Sequence, residues 1–202
     1  MRNRERLLLA ILLCGLAIGI GLNCAASHDS QGAAPADDDA SPADGGPLTD
    51  NGNGTATDPA TGLLWQIAAP AVPRFWTDAQ AYCASLNLAG HGDWRLPDID
   101  ELRSLIRGCP ATEPGSGGQC GVTAQCLDES CGEWCLGCNG AGPGTDGCFW
   151  PPQLGGECEA YWSSSLVAEM TDRAWDIEFN YGGTIEDYQT EIEPLILARC
   201  VR

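Results

Sequence analysis

Cysteines are concentrated in one part of this 202-residue chain: eight of the twelve lie between Cys109 and Cys158. This stretch, residues 109–158, is called the insert below, and it also contains twelve glycines. Its branched aliphatic residues are only Val122, Leu127, Leu136 and Leu154. Burial of these few apolar side chains cannot define the shape of the insert. Cross-links must define it instead. A cysteine density of this kind is useful either in an oxidising compartment or around a metal ion.

The first residues of the chain have the layout of an export signal. Three arginines precede an uninterrupted apolar run over residues 7–22, which as a helix would reach about 24 Å and is short for a membrane span. We predict a signal peptide over residues 1–26, cut before Ser27, or a lipoprotein signal that ends before Cys24 and leaves a lipid on that cysteine. Cleavage is favoured over an uncleaved anchor. We therefore expect an exported protein, either an outer-membrane or cell-surface lipoprotein or a periplasmic or secreted protein, that touches a membrane only through a lipid or an uncleaved signal.

Export favours disulfides over zinc in the insert. The spacing of Cys135 and Cys138 resembles half of a zinc ribbon, and Cys126 and Cys131 are near enough in sequence to complete a site. The insert has no histidine, however, and exported cysteines are normally oxidised. Four disulfides among eight cysteines allow roughly a hundred connectivities, and the sequence does not select one. The eight are Cys109, Cys120, Cys126, Cys131, Cys135, Cys138, Cys148 and Cys158.

The chain is strongly acidic, with a formal charge of −18. This charge repels phosphate backbones and anionic lipids, so we expect no nucleic-acid partner, and it disfavours sulfated glycans. Residues 27–47 contain no aromatic or branched aliphatic side chain and include three consecutive aspartates. Such a segment cannot bury enough apolar surface to offset its ordering entropy, so we predict a disordered acidic linker.

Helix signals lie between residues 77 and 106. Thr77 and Gln80 form a capping box, with Gly90 as the stop, and Ala79, Cys83 and Leu86 fall on one face. A second helix is predicted after Pro97, where Asp98 caps the helix together with Glu101. Its buried positions are Leu102, Leu105 and Ile106.

Strand signals surround these helices. Residues 49–66 predict two short strands around a turn. In residues 174–179, Trp175, Ile177 and Phe179 alternate with Asp176 and Glu178, which is typical of a half-buried strand. Residues 180–183 predict a hairpin turn, and residues 195–201 a closing strand. The expected core residues are Leu64, Trp65, Leu86, Trp94, Leu96, Leu102, Leu105, Trp162, Trp175, Ile177, Phe179 and Cys200.

Six segments in this order resemble the Lcl C-terminal domain family, from about residue 49 to residue 202. They read TDNGNGTATDPATGLLWQ, AYC, DWRLPDIDEL, YWSSS, AWDIEF and RCVR. The family is found mostly in exported bacterial proteins and has long been described as a domain of unknown function. The resemblance implies an α+β fold of the C-type-lectin-like or formylglycine-generating-enzyme-like kind over residues 48–202, with two helices, short antiparallel strands and a mostly irregular, disulfide-rich insert. It also implies a disulfide between Cys83 and Cys200.

A non-catalytic binding module is the function that these features favour. Trp134, Phe149 and Trp150 on the insert are the candidate ligand contacts, and the alternative is that they fill the core of the insert. We expect the partner to be an extracellular protein or a neutral glycan. The oligomeric state is left open.

Two other functions are weaker alternatives. Calcium-dependent binding would use carboxylates near the closing hairpin, which are Asp172, Asp176, Glu178, Glu186 and Asp187, although no spacing demands an ion and we otherwise expect no cofactor. An enzyme on this fold would have His91 as its general base, oriented by Asp93. The serines at 163–165 lack a nucleophile-elbow pattern, so we predict no catalytic residue.

Overall fold

The computed structural model describes residues 46–190 and 195–202. The predicted signal peptide, the lipidation site Cys24 and most of the predicted linker lie outside the described residues. Within them, no helix has the length and apolar character that a membrane span requires. The described chain forms an α+β structure with two small antiparallel sheets and two helices.

Three short strands form the first sheet: β1 (Thr49–Asp50), β2 (Thr55–Thr57) and β3 (Leu64–Gln66). The sequence predicts two strands here, and the structure adds a third, because residues 49–50 pair with the last two residues of β2. The predicted closing strand is not a regular strand. Its end nevertheless runs beside β3, where Leu64 and Arg202 exchange two backbone hydrogen bonds of 2.9 Å.

The first helix, α1 (Trp76–Ser85), differs from its prediction at both ends. Phe75 occupies the N-cap position without a side-chain cap, so Thr77 lies inside the first turn and is not the cap. Long-range contacts fix the start instead, because the Trp76 indole donates a 2.7 Å hydrogen bond to the carbonyl oxygen of Ser163. The helix ends at Ser85, before the predicted stop at Gly90.

The second helix, α2 (Ile99–Arg103), has the predicted capping box. The Glu101 amide donates to Asp98 at 2.8 Å, and the Asp98 amide donates to the Glu101 carboxylate at 2.9 Å. The predicted buried residues Leu102, Leu105 and Ile106 are all 0% exposed.

The second sheet consists of β4 (Ala160–Val167), β5 (Met170–Glu178) and β6 (Gly183–Tyr188). Residues 179–182 join β5 to β6, so the predicted hairpin turn is confirmed. Both faces of this sheet are covered. One face packs its aromatic residues against α2 and the insert, and the other packs against α1 and the segment that contains Cys200.

The burial of Asp176 differs from the prediction because both faces of the second sheet are covered. Asp176 is predicted to face solvent but is 0% exposed, because the face opposite Trp175 and Ile177 meets the α1 side of the core and not water. Of the twelve predicted core residues, Leu64 and Leu86 are half-buried at the edge of this second cluster. The other ten are buried.

Candidate functional site

The structure joins Cys83, on the buried face of α1, to Cys200, the pairing that the family resemblance implies. All eight cysteines of the insert pair with one another. Three of these bridges are nested along the chain and the fourth closes the last part of the insert. The four bridges are Cys109–Cys138, Cys120–Cys135, Cys126–Cys131 and Cys148–Cys158.

This pairing removes the zinc-ribbon alternative for the insert. Cys135 and Cys138 belong to two different disulfides. Within the described residues, one group of three side chains has its ligand atoms within 4.8 Å of one another, namely Cys126, Asp128 and Cys131. The two sulfurs of this group are bonded to each other, so neither is a thiolate that could bind a metal.

A buried arginine holds the first half of the insert against α2. Arg103 is 5% exposed, and its guanidinium donates to the carbonyl oxygens of Val122 and, at 2.9 Å, Thr112. A third, longer bond of 3.4 Å reaches the carbonyl oxygen of Cys120. These bonds replace the water that the charge loses on burial, so the irregular backbone of the insert has a fixed position on the helix.

Two of the three aromatic candidates are core residues. Phe149 is 1% exposed and Trp150 is 0% exposed, so the expectation that they contact a ligand is wrong. The Trp150 ring lies 5.7 Å from that of Tyr161 and 5.3 Å from that of Phe179, centroid to centroid. The last part of the insert therefore completes the core of the second sheet, and only the alternative role holds for this pair.

Trp134 is the aromatic candidate that lies at the surface, where the residue is 60% exposed. Leu136, which is not among the candidates predicted from the sequence, is 79% exposed two residues later. Between them, Cys135 is 1% exposed and forms a disulfide to Cys120. We call Trp134 and Leu136 the insert tip. Their alternation around a buried cysteine directs both side chains outward.

Backbone hydrogen bonds fix the insert tip to the hairpin of the second sheet. The Thr184 amide donates to the carbonyl oxygen of Cys135 at 3.0 Å, and the Cys138 amide donates to that of Tyr181 at 2.7 Å. Gly137 has a φ of +75°, and a side chain at this position would collide with Tyr181. The backbone beneath the two exposed side chains is therefore held by covalent and hydrogen-bonded contacts.

The residues that an enzyme on this fold would use are engaged in hydrogen bonds within the fold. Asp93, the predicted orienting carboxylate, accepts a 2.5 Å hydrogen bond from Nε of Arg202, and this bond lowers the pKa of the aspartate. His91 closes a tight turn through two backbone bonds with Leu88. Ser163 is buried and donates to the carbonyl oxygen of Trp175 at 2.7 Å.

The five carboxylates of the calcium alternative do not converge. Within the described residues, no three of them bring their oxygens within 4.8 Å of one another. Asp172 is exposed, whereas Asp176 is buried and neither of its oxygens has a hydrogen-bond partner in the described chain. Burial, together with the charges of Asp187, Glu178 and Glu186, raises the pKa of Asp176 well above its usual value. Thermal melts with calcium and with chelator test the calcium alternative directly.

Comparison with known proteins identifies the family but no close relative. Residues 54–202 match the Lcl C-terminal domain family, which covers well over half of the chain. No curated protein and no solved structure is significantly similar to it. The five disulfides are consistent with a protein exported to an oxidising compartment. The chain belongs to the Lcl C-terminal domain family.

Proposed function

We propose that this protein is a non-catalytic binding module that presents the insert tip to a protein or a neutral glycan outside the cell. The observation that carries this proposal is the exposure of Trp134 and Leu136 on a backbone fixed by disulfides. Exposed aromatic and aliphatic side chains are usually scattered in soluble proteins, but here two lie two residues apart on a rigid support. Such side chains lose little conformational entropy when they bind.

The scaffold supports the same proposal. The disulfide between Cys83 and Cys200 joins α1 to the segment beside β3, as the C-type-lectin-like arrangement would require, and we propose that relationship for the fold. Folds of this kind bind ligands through long loops, and we propose that the insert takes the place of such a loop. We further propose that an acidic linker carries the domain and that the chain is either lipidated on Cys24 or released. Mass analysis of the N-terminus of the exported protein distinguishes a lipidated Cys24 from a free Ser27.

A binding screen tests the proposed function. The full chain, expressed with its own signal, is applied to an array of neutral glycans and to an array of extracellular proteins. The double variant Trp134→Ala, Leu136→Ala is applied in parallel. Val72→Ala is the matched control, because Val72 is a 52% exposed aliphatic residue outside the insert. We expect at least one ligand whose signal falls about tenfold or more in the double variant and is unchanged in the control. A ligand that binds the double variant as well as the wild type contradicts the assignment to the insert tip.

A further inference from the structure

A cleft of about 620 Å³ lies on the α1-facing side of the second sheet, and neither residue of the insert tip lines it. Its lining comes from the segment before α1, the end of the insert and the start of β4, the end of β5, β6 and the segment at 195–197. Four carboxylates line it, and these are Glu157, Glu159, Glu178 and Asp187. The rest of the lining is apolar, with Pro73, Ile196 and Leu197 among the residues. Every charged residue in this lining is acidic, and clefts of this size are typical of ligand sites.

Asp176 adds a fifth carboxylate behind this lining. Strand alternation places Asp176 on the same face of β5 as Glu178, and the pairing with β4 sets Ala160, another lining residue, opposite Glu178. Asp176 is 0% exposed, and within the described residues neither of its oxygens has a hydrogen-bond partner. An unpartnered buried carboxylate is costly unless a positive group approaches it. Asp176 thus adds to the like charges of Glu178 and Asp187, and a positive group in the adjoining cleft lowers the cost of burying all three.

The negative charges of the carboxylates that line the cleft act on one another. Burial raises the pKa of Glu178, and the neighbouring charges of Glu159 and Asp187 raise it further. Gathering like charges in one cleft disfavours the folded state and creates a potential that attracts cations. The cleft is thus set up electrostatically to gain from a positive group.

The shape of the cleft favours an organic cation over a metal ion. Calcium needs several oxygens at about 2.3–2.6 Å from one point, and in the described chain no three cleft carboxylates have oxygens within 4.8 Å of one another. An arginine or lysine side chain instead carries its charge at the end of an apolar stem. The stem suits the apolar lining residues Pro73, Ile196 and Leu197, and the head group suits the carboxylates that line the same cleft.

We propose that this cleft binds an arginine or lysine side chain from a basic segment of a partner protein. The assignment rests on residues outside the insert tip and does not depend on the function proposed for that tip. Charge complementarity selects the occupant, because the chain carries a net charge of −18 and this cleft concentrates part of it beside apolar surface. A second copy of the same chain is disfavoured as the occupant, because two chains that each carry a net charge of −18 repel one another.

A peptide titration tests this proposal on the full chain. The probe is an acetylated and amidated Ala-Arg-Ala peptide, and the control is the same peptide with citrulline, which keeps the shape and removes the charge. We expect the arginine peptide to bind at least about tenfold more tightly at low salt and to weaken as salt rises. Equal binding of the two peptides, or no binding of either, overturns the proposal.

Matched variants locate the binding. The double variant Glu159→Gln, Glu178→Gln keeps both side-chain shapes and should weaken the arginine peptide by about tenfold or more. Asp172→Asn removes an exposed charge from the same strand as Glu178 and should leave binding unchanged. Unchanged binding in the double variant overturns the site. If that variant unfolds, Glu157→Gln at an exposed lining position must weaken the peptide measurably on its own.

Spermidine distinguishes a basic segment of a protein from a free polyamine as the source of the cationic group. It is titrated against the same variants. Weaker binding of spermidine than of the arginine peptide supports a protein partner. Tighter binding of spermidine, with the same sensitivity to Glu159→Gln, Glu178→Gln, overturns the assignment to a protein segment in favour of a free polyamine.

Discussion

The guanidinium carbon of Arg199 lies 4.8 Å from the centre of the Trp150 ring, and both side chains are 0% exposed. Arg199 also donates to the carbonyl oxygens of Gln66 at 2.7 Å, Ile67 at 2.6 Å and Gly155 at 2.7 Å. One buried side chain thus links the end of β3, the last part of the insert and the segment that contains Cys200. These carbonyl oxygens replace water around the charge, although burial still lowers the pKa of Arg199.

Replacing this arginine should destabilise the whole domain. Arg199→Lys keeps the charge but cannot reach three carbonyl oxygens with a planar fork, so we expect a loss of about 2–4 kcal/mol in the free energy of unfolding. Urea unfolding measures the loss. Arg202→Lys is the control, because Arg202 makes an exposed ion pair and its midpoint should match the wild type. Equal midpoints for both variants would show that the buried bonds of Arg199 do not stabilise the fold.

The two most different disulfides should contribute unequally to stability. Cys83 and Cys200 are 117 positions apart, whereas Cys126 and Cys131 are five apart. The loop-entropy estimate gives about 5 kcal/mol for the first bridge and about 2 kcal/mol for the second, both as upper values. Urea unfolding of the two paired Cys→Ala variants checks the order. A larger loss for the Cys126, Cys131 pair contradicts this account of the scaffold.

Asp176 should make the folded protein less stable as pH rises. Its folded pKa lies above the unfolded value, so its contribution is fully present below the unfolded pKa and is lost as pH rises through the folded one. Asp176→Asn removes this titration. We expect the free energy of unfolding of the variant to match that of the wild type at about pH 4 and to exceed it by about 1–3 kcal/mol at about pH 8.

Thermal or urea unfolding across this pH range gives the measurement. Asp172→Asn is the control, because Asp172 is an exposed carboxylate on the same strand. Lower stability of Asp176→Asn at the higher pH would contradict this prediction and would mean that the carboxylate has a positive partner.

Trp134 and Trp150 should respond in opposite ways to replacement. Trp134 is 60% exposed and Trp150 is 0% exposed. We expect Trp134→Ala to change the free energy of unfolding by less than about 0.5 kcal/mol and Trp150→Ala to lower it by about 3–5 kcal/mol. Iodide quenching of the wild-type fluorescence provides an independent check, since removal of Trp134 should remove most of the readily quenched signal. A large stability loss in Trp134→Ala would make this residue part of the core.

The sequence predicts best where a structure depends on neighbouring residues. The cap of α2 is an example, because Asp98 and Glu101 satisfy each other within one turn. The start of α1 depends on a contact 87 positions away, between Trp76 and Ser163, so the local signal at Thr77 predicts the wrong cap. Local pattern is therefore sufficient for one helix and insufficient for the other.

The candidate site was predictable only in part, for the same reason. The sequence places Trp134, Phe149 and Trp150 in one insert but contains no signal that the last two fill the core beneath the second sheet. Alternation along β5 suggests a solvent-facing Asp176, and the burial of that residue depends on elements far away in the sequence. Pairing of the insert cysteines likewise depends on the path of the backbone in space.

The insert is cross-linked only within itself, apart from the disulfide of the scaffold, and a tryptic map of the non-reduced protein tests this division. The chain has no lysine, and no arginine lies between Arg107 and Arg173, so one peptide, residues 108–173, carries all eight cysteines of the insert. Mass spectrometry should recover this peptide unlinked, without free thiols, together with residues 75–95 joined to residues 200–202. Recovery of residues 108–173 linked to either of the other two peptides would contradict the account.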